Sequence, residues 1–290
     1  MEEKAALILR KYVDLSAYPL DNPDGDAYLD LLARVHGELA RDGVSVLKNF
    51  IKTEWLAQLE AEGVSVADAA YYQVDTVNAY NLPLDADLPT DHPAKIKMQR
   101  ENAFVARDLI PHEHIIHQLY NAKALTCFVA SCFHYDELYQ LADPLSGLVL
   151  NVLRPGCSHP WHFDVNEFTV SLLTKKPQGG GEFFYCPDIR SPHEENLDAV
   201  REVLTGKGEV PRRHSIVLEP GDLQLFKGRY ALHHVAAVRG HEERHSAIFA
   251  YTKEPDVVGA PERARQLFGR VLPEHVSAAQ RPVRSDELLD

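Results

Sequence analysis

The chain has 290 residues, 45% apolar and 25% charged, a balance that argues against wholesale disorder. Thirty Lys and Arg against 43 Asp and Glu leave a net charge of −13, which disfavours general affinity for nucleic-acid phosphates or anionic lipid. The apolar run Ala5 to Leu9 is too short for a signal-peptide core, and no stretch approaches the roughly 20 apolar residues of a spanning helix. Cys127, Cys132, Cys157 and Cys186 form no CxxC pair and are too few for a disulfide framework. A soluble, reduced, cytoplasmic protein without internal repeats is expected.

The first half reads mainly helical. Tyr28, Leu31, Leu32, Val35 and Leu39 recur at helical spacing between Asp26 and Arg41, and Gly43 supplies a stop. Val44 and Val46 alternate as a short strand, and Thr53 can cap a helix carrying Trp55, Leu56 and Leu59. Asn81 to Pro93 has three prolines and three aspartates, which predicts a loop. Apolar spacing predicts helix again between His112 and Tyr139, closed by Pro144. The second half changes to short β-rich runs at Leu148–Leu153, Glu167–Leu173, Glu182–Tyr185, His214–Leu218, Asp222–Phe226, Leu232–Val238 and Ser246–Thr252. A helix is expected at Glu194–Leu204 and another near Pro261–Leu267. The expected architecture is α+β: one domain over 1–290, with a helical support region (1–144), a jelly-roll core (145–255) and a tail with a short helix (256–290).

Trp161-His162-Phe163-Asp164 is the most informative tetrapeptide. On a strand, His162 and Asp164 project to one side and Phe163 to the other. A neutral imidazole and a carboxylate so placed make two legs of a site for Fe(II), Mn(II) or Zn(II), although with fifteen histidines a structural or solvated pair stays open. Leu232-His233-His234-Val235 offers a third leg. Alternation admits only one of the two histidines; His233, sharing a face with Val235, is assigned inward and His234 outward. Such a triad leaves coordination positions vacant, as non-haem Fe(II) oxygenases require. Beyond it, Arg244 and Ser246 form an R-x-S able to grip a carboxylate with paired hydrogen bonds. His159, Trp161, Arg100 and Asp143 are candidates for binding substrate. Three have a plainer reading: an exposed loop histidine for His159, a solvated charge for Arg100 and a turn-shaping acid before Pro144 for Asp143. Gly179-Gly180-Gly181 lacks a following Lys-Ser/Thr helix and reads as a turn rather than a phosphate cradle. His241-Glu242-Glu243-Arg244-His245 fits the zinc-protease H-E-x-x-H only if it is helical, and its flanks read as turn and strand.

The stretch from Asn151 to Pro255 resembles the catalytic core of Fe(II)/2-oxoglutarate-dependent dioxygenases. WHFDVNEFTVSLL, GGGEFFYCPDIR, EPGDLQLFKGRYALHHV and AIFAYTKEP are similar to a branch of carrier-free amino-acid halogenases and hydroxylases. The resemblance implies a double-stranded β-helix (cupin-like), with His162, Asp164 and His233 as iron ligands and Arg244 with Ser246 holding 2-oxoglutarate, O₂ being the other co-substrate. His234 departs from the basic Arg expected there in relatives. Halogenases of this branch carry Gly or Ala where this chain has Asp164, so the resemblance implies hydroxylation, with succinate and CO₂ released. The expected substrate is a free amino acid or similar small polar molecule, mildly favoured as cationic by the acidic surface. Nucleic acid and membrane are not expected partners, and a homodimer is left open. The rival readings are the same chemistry on a protein or nucleotide-derived substrate, and a cupin-like metal-binding module without turnover.

Overall fold

A computed structural model describes residues 2–207, 213–278 and 288–289. Five helices precede residue 144: α1 (Glu2–Tyr12), α2 (Asp26–Asp42), α3 (Leu56–Ala67), α4 (Ile115–Tyr120) and α5 (Lys123–Cys132). In α2 the predicted stripe is the buried one, and Gly43 ends the helix at φ 69°, its N–H bonded to the Leu39 carbonyl.

Ten strands build two antiparallel sheets: β1 (Val44–Leu47), β2 (Ala103–Val105), β3 (Leu148–Leu153), β4 (His159–His162), β5 (Thr169–Lys175), β6 (Phe183–Cys186), β7 (His214–Ile216), β8 (Leu223–Phe226), β9 (Leu232–Val235) and β10 (Arg244–Phe249). The larger sheet has the order β1-β8-β5-β10-β3-β2 and the smaller β7-β6-β9-β4. Helix α6 (Leu197–Thr205) interrupts the strands, and α7 (Pro261–Phe268) and α8 (Pro273–Ala278) follow them.

Strand alternation gives the larger sheet two unlike faces. Leu148, Leu150 and Val152 of β3, Val170 and Leu172 of β5, and Ala247 and Phe249 of β10 share one apolar core with Val35, Leu59, Ile115 and Phe128 of the helices. On the opposite face Val44, Leu153 and Phe226 meet Phe183, Tyr185 and Val235 of the smaller sheet. The Phe183 and Phe226 rings meet edge-on at 5.0 Å and close that end of the sandwich. Alternating with the helix-facing residues, Asn151, Gln224, Arg244 and Ser246 point between the sheets and are all buried.

Most predicted elements are present with boundaries moved by a few residues. The stretch from 112 to 139 divides into α4 and α5, and the helix predicted from Thr53 begins as a single 3₁₀ turn, Thr53–Trp55. The first 144 residues supply both outer strands of the larger sheet: β1, expected from Val44 and Val46, and β2, which is too short to show alternation. Much of the expected tail, 279–287 and 290, lies outside the described residues. Among the described residues no helix is long and apolar enough to cross a membrane.

Candidate active site

His162 ends β4 and His233 lies on β9; the two strands are neighbours and place these residues directly opposite each other. The chain leaves the strand after His162, and two backbone bonds fix the turn: Phe163 N–H to the Ala79 carbonyl (2.9 Å) and Asp164 N–H to the Gly228 carbonyl (3.1 Å). Phe163 points away and packs with Tyr80 and under the Arg190 guanidinium. Asp164 Oδ1 comes to 3.6 Å from His162 Nε2 and 3.5 Å from His233 Nε2. One ligand atom from each residue lies within 4.8 Å of the other two.

Surrounding groups leave one donor atom free on each side chain. His162 Nδ1 is engaged by the Pro160 carbonyl at 2.8 Å, and His233 Nδ1 by the Ala231 carbonyl at 2.9 Å, so each Nε2 is turned to the common point. Thr169 Oγ1 donates to Asp164 Oδ2 at 2.5 Å, which reserves Oδ1 for the same point. A Cβ on Gly228 would collide with the Asp164 carboxylate, so glycine is required there.

Electrostatics agree with this division of roles. Burial opposes charge on Asp164, but the His233 field and the hydrogen bonds with His162 and His233 outweigh it and hold the carboxyl pKa well below the usual range. Burial, reinforced by His233, lowers the pKa of His162 and favours the neutral imidazole a metal needs. Two imidazole nitrogens and one carboxylate oxygen suit Fe(II).

Arg244, on β10, is 5% exposed and has no acidic partner among the described residues. Burial alone pushes its pKa down to about 10. A buried cation of this kind calls for an anionic ligand. Ser246, two positions on and on the same face, pairs across the strands with Asn151. Gly181 has a positive φ of 71°, and a Cβ there would come within 2.9 Å of Arg244 Cδ, which accounts for part of the triple-glycine turn.

The substrate candidates divide. His159 stacks on His162, with ring centroids 3.9 Å apart, and burial followed by the neighbouring His162 and His233 holds it neutral. Arg100 is buried rather than solvated, and its short strand, Met98–Arg100, packs on β4. Trp161 is a correction: alternation turns it from the triad to pack on His234 at 4.1 Å. His234 is held there between Trp161 and Phe184, its pKa pushed to about 4 by burial and Arg213. Asp143 is also a correction. Its carboxylate accepts from the N–H groups of Leu145, Ser146 and Gly259 and faces His275, so it shapes a turn instead of meeting an ammonium. The H-E-x-x-H match fails as well, because its last two residues, Arg244 and His245, open β10. Thr169, Gly228 and Arg263 lie beside Asp164 without having been singled out in the sequence: Thr169 and Gly228 fall within the quoted motif stretches, and Arg263, on α7 far along the chain, feels the Asp164 field.

The fold has counterparts of known structure. The epimerase SnoN from nogalamycin biosynthesis, solved with Fe3+ and alpha ketoglutarate, aligns with TM-score 0.51 at 13% identity, covering 77% of this chain and 84% of that one. The carbocyclase SnoK from the same biosynthesis aligns with TM-score 0.51 at 10% identity over 75% and 82%. AviO1 from Streptomyces viridochromogenes Tue57 aligns with TM-score 0.50 at 14% identity over 79% and 97%. At these identities the likeness is one of fold. No curated protein matches the sequence. The model of the family described as Halogenase D, however, matches residues 29–262, most of the chain. The chain therefore belongs to the Halogenase D family, within the 2-oxoglutarate- and Fe(II)-dependent oxygenases.

Proposed function

We propose that this enzyme hydroxylates an unactivated C–H bond of a small polar substrate, most simply a free amino acid, releasing succinate and CO₂. The observation that carries the reading is Asp164 itself, whose Oδ1 stands 3.6 and 3.5 Å from the two histidine Nε2 atoms. A carboxylate there occupies the place that a halide would need. The paired sheets are read as a double-stranded β-helix within one domain acting in the cytosol.

His162, Asp164 and His233 would hold the iron, and Arg244 with Ser246 the distal carboxylate of 2-oxoglutarate. Together these groups supply oxidation of a C–H bond by O₂, coupled to loss of CO₂ from the keto acid. The protein's part is placement. The Pro160 and Ala231 carbonyls orient the imidazoles, and Thr169 orients the carboxylate. Arg244 fixes the co-substrate from the sheet interior, and His159 and Arg100 stand beside the triad to receive the substrate. A metal-holding module without turnover would have no use for an uncompensated arginine at Arg244, which favours the enzymatic reading.

The test is to incubate iron-loaded protein with 2-oxoglutarate, chloride and a panel of free amino acids, following succinate and product mass. Substrate-stimulated succinate with a gain of one oxygen atom is expected. A chlorinated product, or no stimulation by any amino acid, would overturn the reading.

A further inference from the structure

Two arginines from distant parts of the chain converge beside the triad. Arg100 Nη2 donates to Asp75 Oδ2 at 2.6 Å and to the Gln266 carbonyl at 3.1 Å, whereas its Nε and Nη1 are buried with no hydrogen-bond partner. Arg263, on α7, donates from Nη1 to Gln266 Oε1 at 2.6 Å and to Asn81 Oδ1 at 3.2 Å. Both guanidinium groups are thus anchored on Gln266. Asn81 in turn donates to the carbonyl of Phe163 at 3.4 Å, one residue before Asp164.

The charges in this corner do not cancel. Among the described residues Arg263 has no acidic hydrogen-bond partner. The carboxylates whose fields reach it are Asp164, assigned to the metal, and Asp75, already paired with Arg100. Burial, then the field of Arg100, pushes the Arg263 pKa down to about 10. One positive charge is left in excess, together with two unanswered N–H groups on Arg100. Arg263 is only half-buried, but the two Arg100 donors are enclosed, and enclosed donors without partners are costly unless a ligand completes them. The acids whose fields reach this corner, Asp75 and Asp164, are already committed, so neither is free to balance a second positive charge on a basic side chain.

We propose that Arg263 acts with Arg100 to select a substrate of net negative charge, so that acidic amino acids bind in preference to basic ones. The inference rests on the oxygenase reading above and narrows its substrate. It also reverses the hint from the acidic surface, since the protein's overall charge of −13 does not determine the sign inside a pocket.

The test titrates the anaerobic protein, loaded with Fe(II) and 2-oxoglutarate, with L-aspartate, L-glutamate, L-lysine and L-arginine, binding being read by calorimetry. Substrate-free decarboxylation of 2-oxoglutarate by the wild type is measured alongside. At least one acidic probe should bind more tightly than both basic ones. Arg263→Gln should weaken that binding by about 10- to 100-fold, the scale of a lost charged hydrogen bond. Arg263→Lys should retain part of it, and Arg263→Glu should invert the preference. Tighter binding of the basic probes, no binding of either acidic probe, or an unchanged affinity in a folded Arg263→Gln protein would overturn the proposal. The wild-type comparison needs no variant to fold. Absent decarboxylation would count against the oxygenase reading itself, whereas a basic preference with decarboxylation intact would reject only the charge selection.

Discussion

The two faces of the larger sheet are made by alternate residues of the same strands, yet they obey opposite rules. Leu150, Val152, Leu172, Ala247 and Phe249 turn outward into the helices and form a continuous apolar core. Their neighbours Asn151, Ser171, Gln224, Arg244 and Ser246 turn inward, where Ser171 donates to Gln224 at 3.1 Å and Arg244 has no counter-ion among the described residues. The outer face gains stability by removing apolar area from water. The inner face gives some of that up by enclosing polar groups whose partners are ligands. One face therefore holds the fold, and the other waits for chemistry.

Four changes test this division, from the largest expected effect to the smallest. On the outer face, Leu150→Ala should cost about 2–5 kcal/mol of unfolding free energy. Denaturant titration checks this, and the folded fraction should keep its affinity for 2-oxoglutarate. On the inner face, Arg244→Ala should raise the apparent dissociation constant for 2-oxoglutarate by about 10- to 100-fold. Its melting temperature should hold or rise, because an uncompensated buried cation is gone; a large fall in melting temperature with unchanged affinity would erase the distinction between the faces. Thr169→Val frees Asp164 Oδ2 and should weaken iron binding by about 10-fold or more, as loss of groups orienting metal ligands generally does. The smallest effect is one of pH. His245 is fully buried on the outer face, and burial lowers its pKa despite its contact with Glu243. The folded chain keeps this group neutral while the unfolded chain takes up a proton below about pH 6.5. Stability should therefore fall as pH drops from 6.5 towards 5, and His245→Gln should flatten that slope in thermal melts.

What could be read in the sequence followed the range over which its signals act. Helix α2 and strands β3, β8 and β9 were legible because periodicity and turn residues are local. His162 and His233 stand on neighbouring strands and His234 turns outward, as alternation leads one to expect, whereas Asp164 lies beyond the end of the strand and meets the histidines through the turn after His162. The same rule applied to Trp161 would have turned it away together with His159, but an irregularity in the pairing of β4 with β9 returns His159 to the face of His162. For Asp143 the turn through Leu145 and Ser146 was open to a local reading, but its bond from Gly259, like the bond from Arg100 to Gln266, spans more than a hundred residues and leaves no local signal. Arg263 was invisible for the same reason: α7 reaches the site through tertiary contacts, Arg263 with Asn81 and the Gln266 carbonyl with Arg100. Thr169 needed the turn after His162, which bends Asp164 out of simple strand geometry before its carboxylate meets the hydroxyl.

The central claim is that His162, Asp164 and His233 form one iron site. Anaerobic calorimetric titration of the metal-free chain with Fe(II) tests it most directly, with His233→Ala and His234→Ala side by side. The account predicts one ion per chain in the wild type and in His234→Ala, and loss of that binding in His233→Ala. Undiminished Fe(II) binding by a folded His233→Ala protein would contradict it.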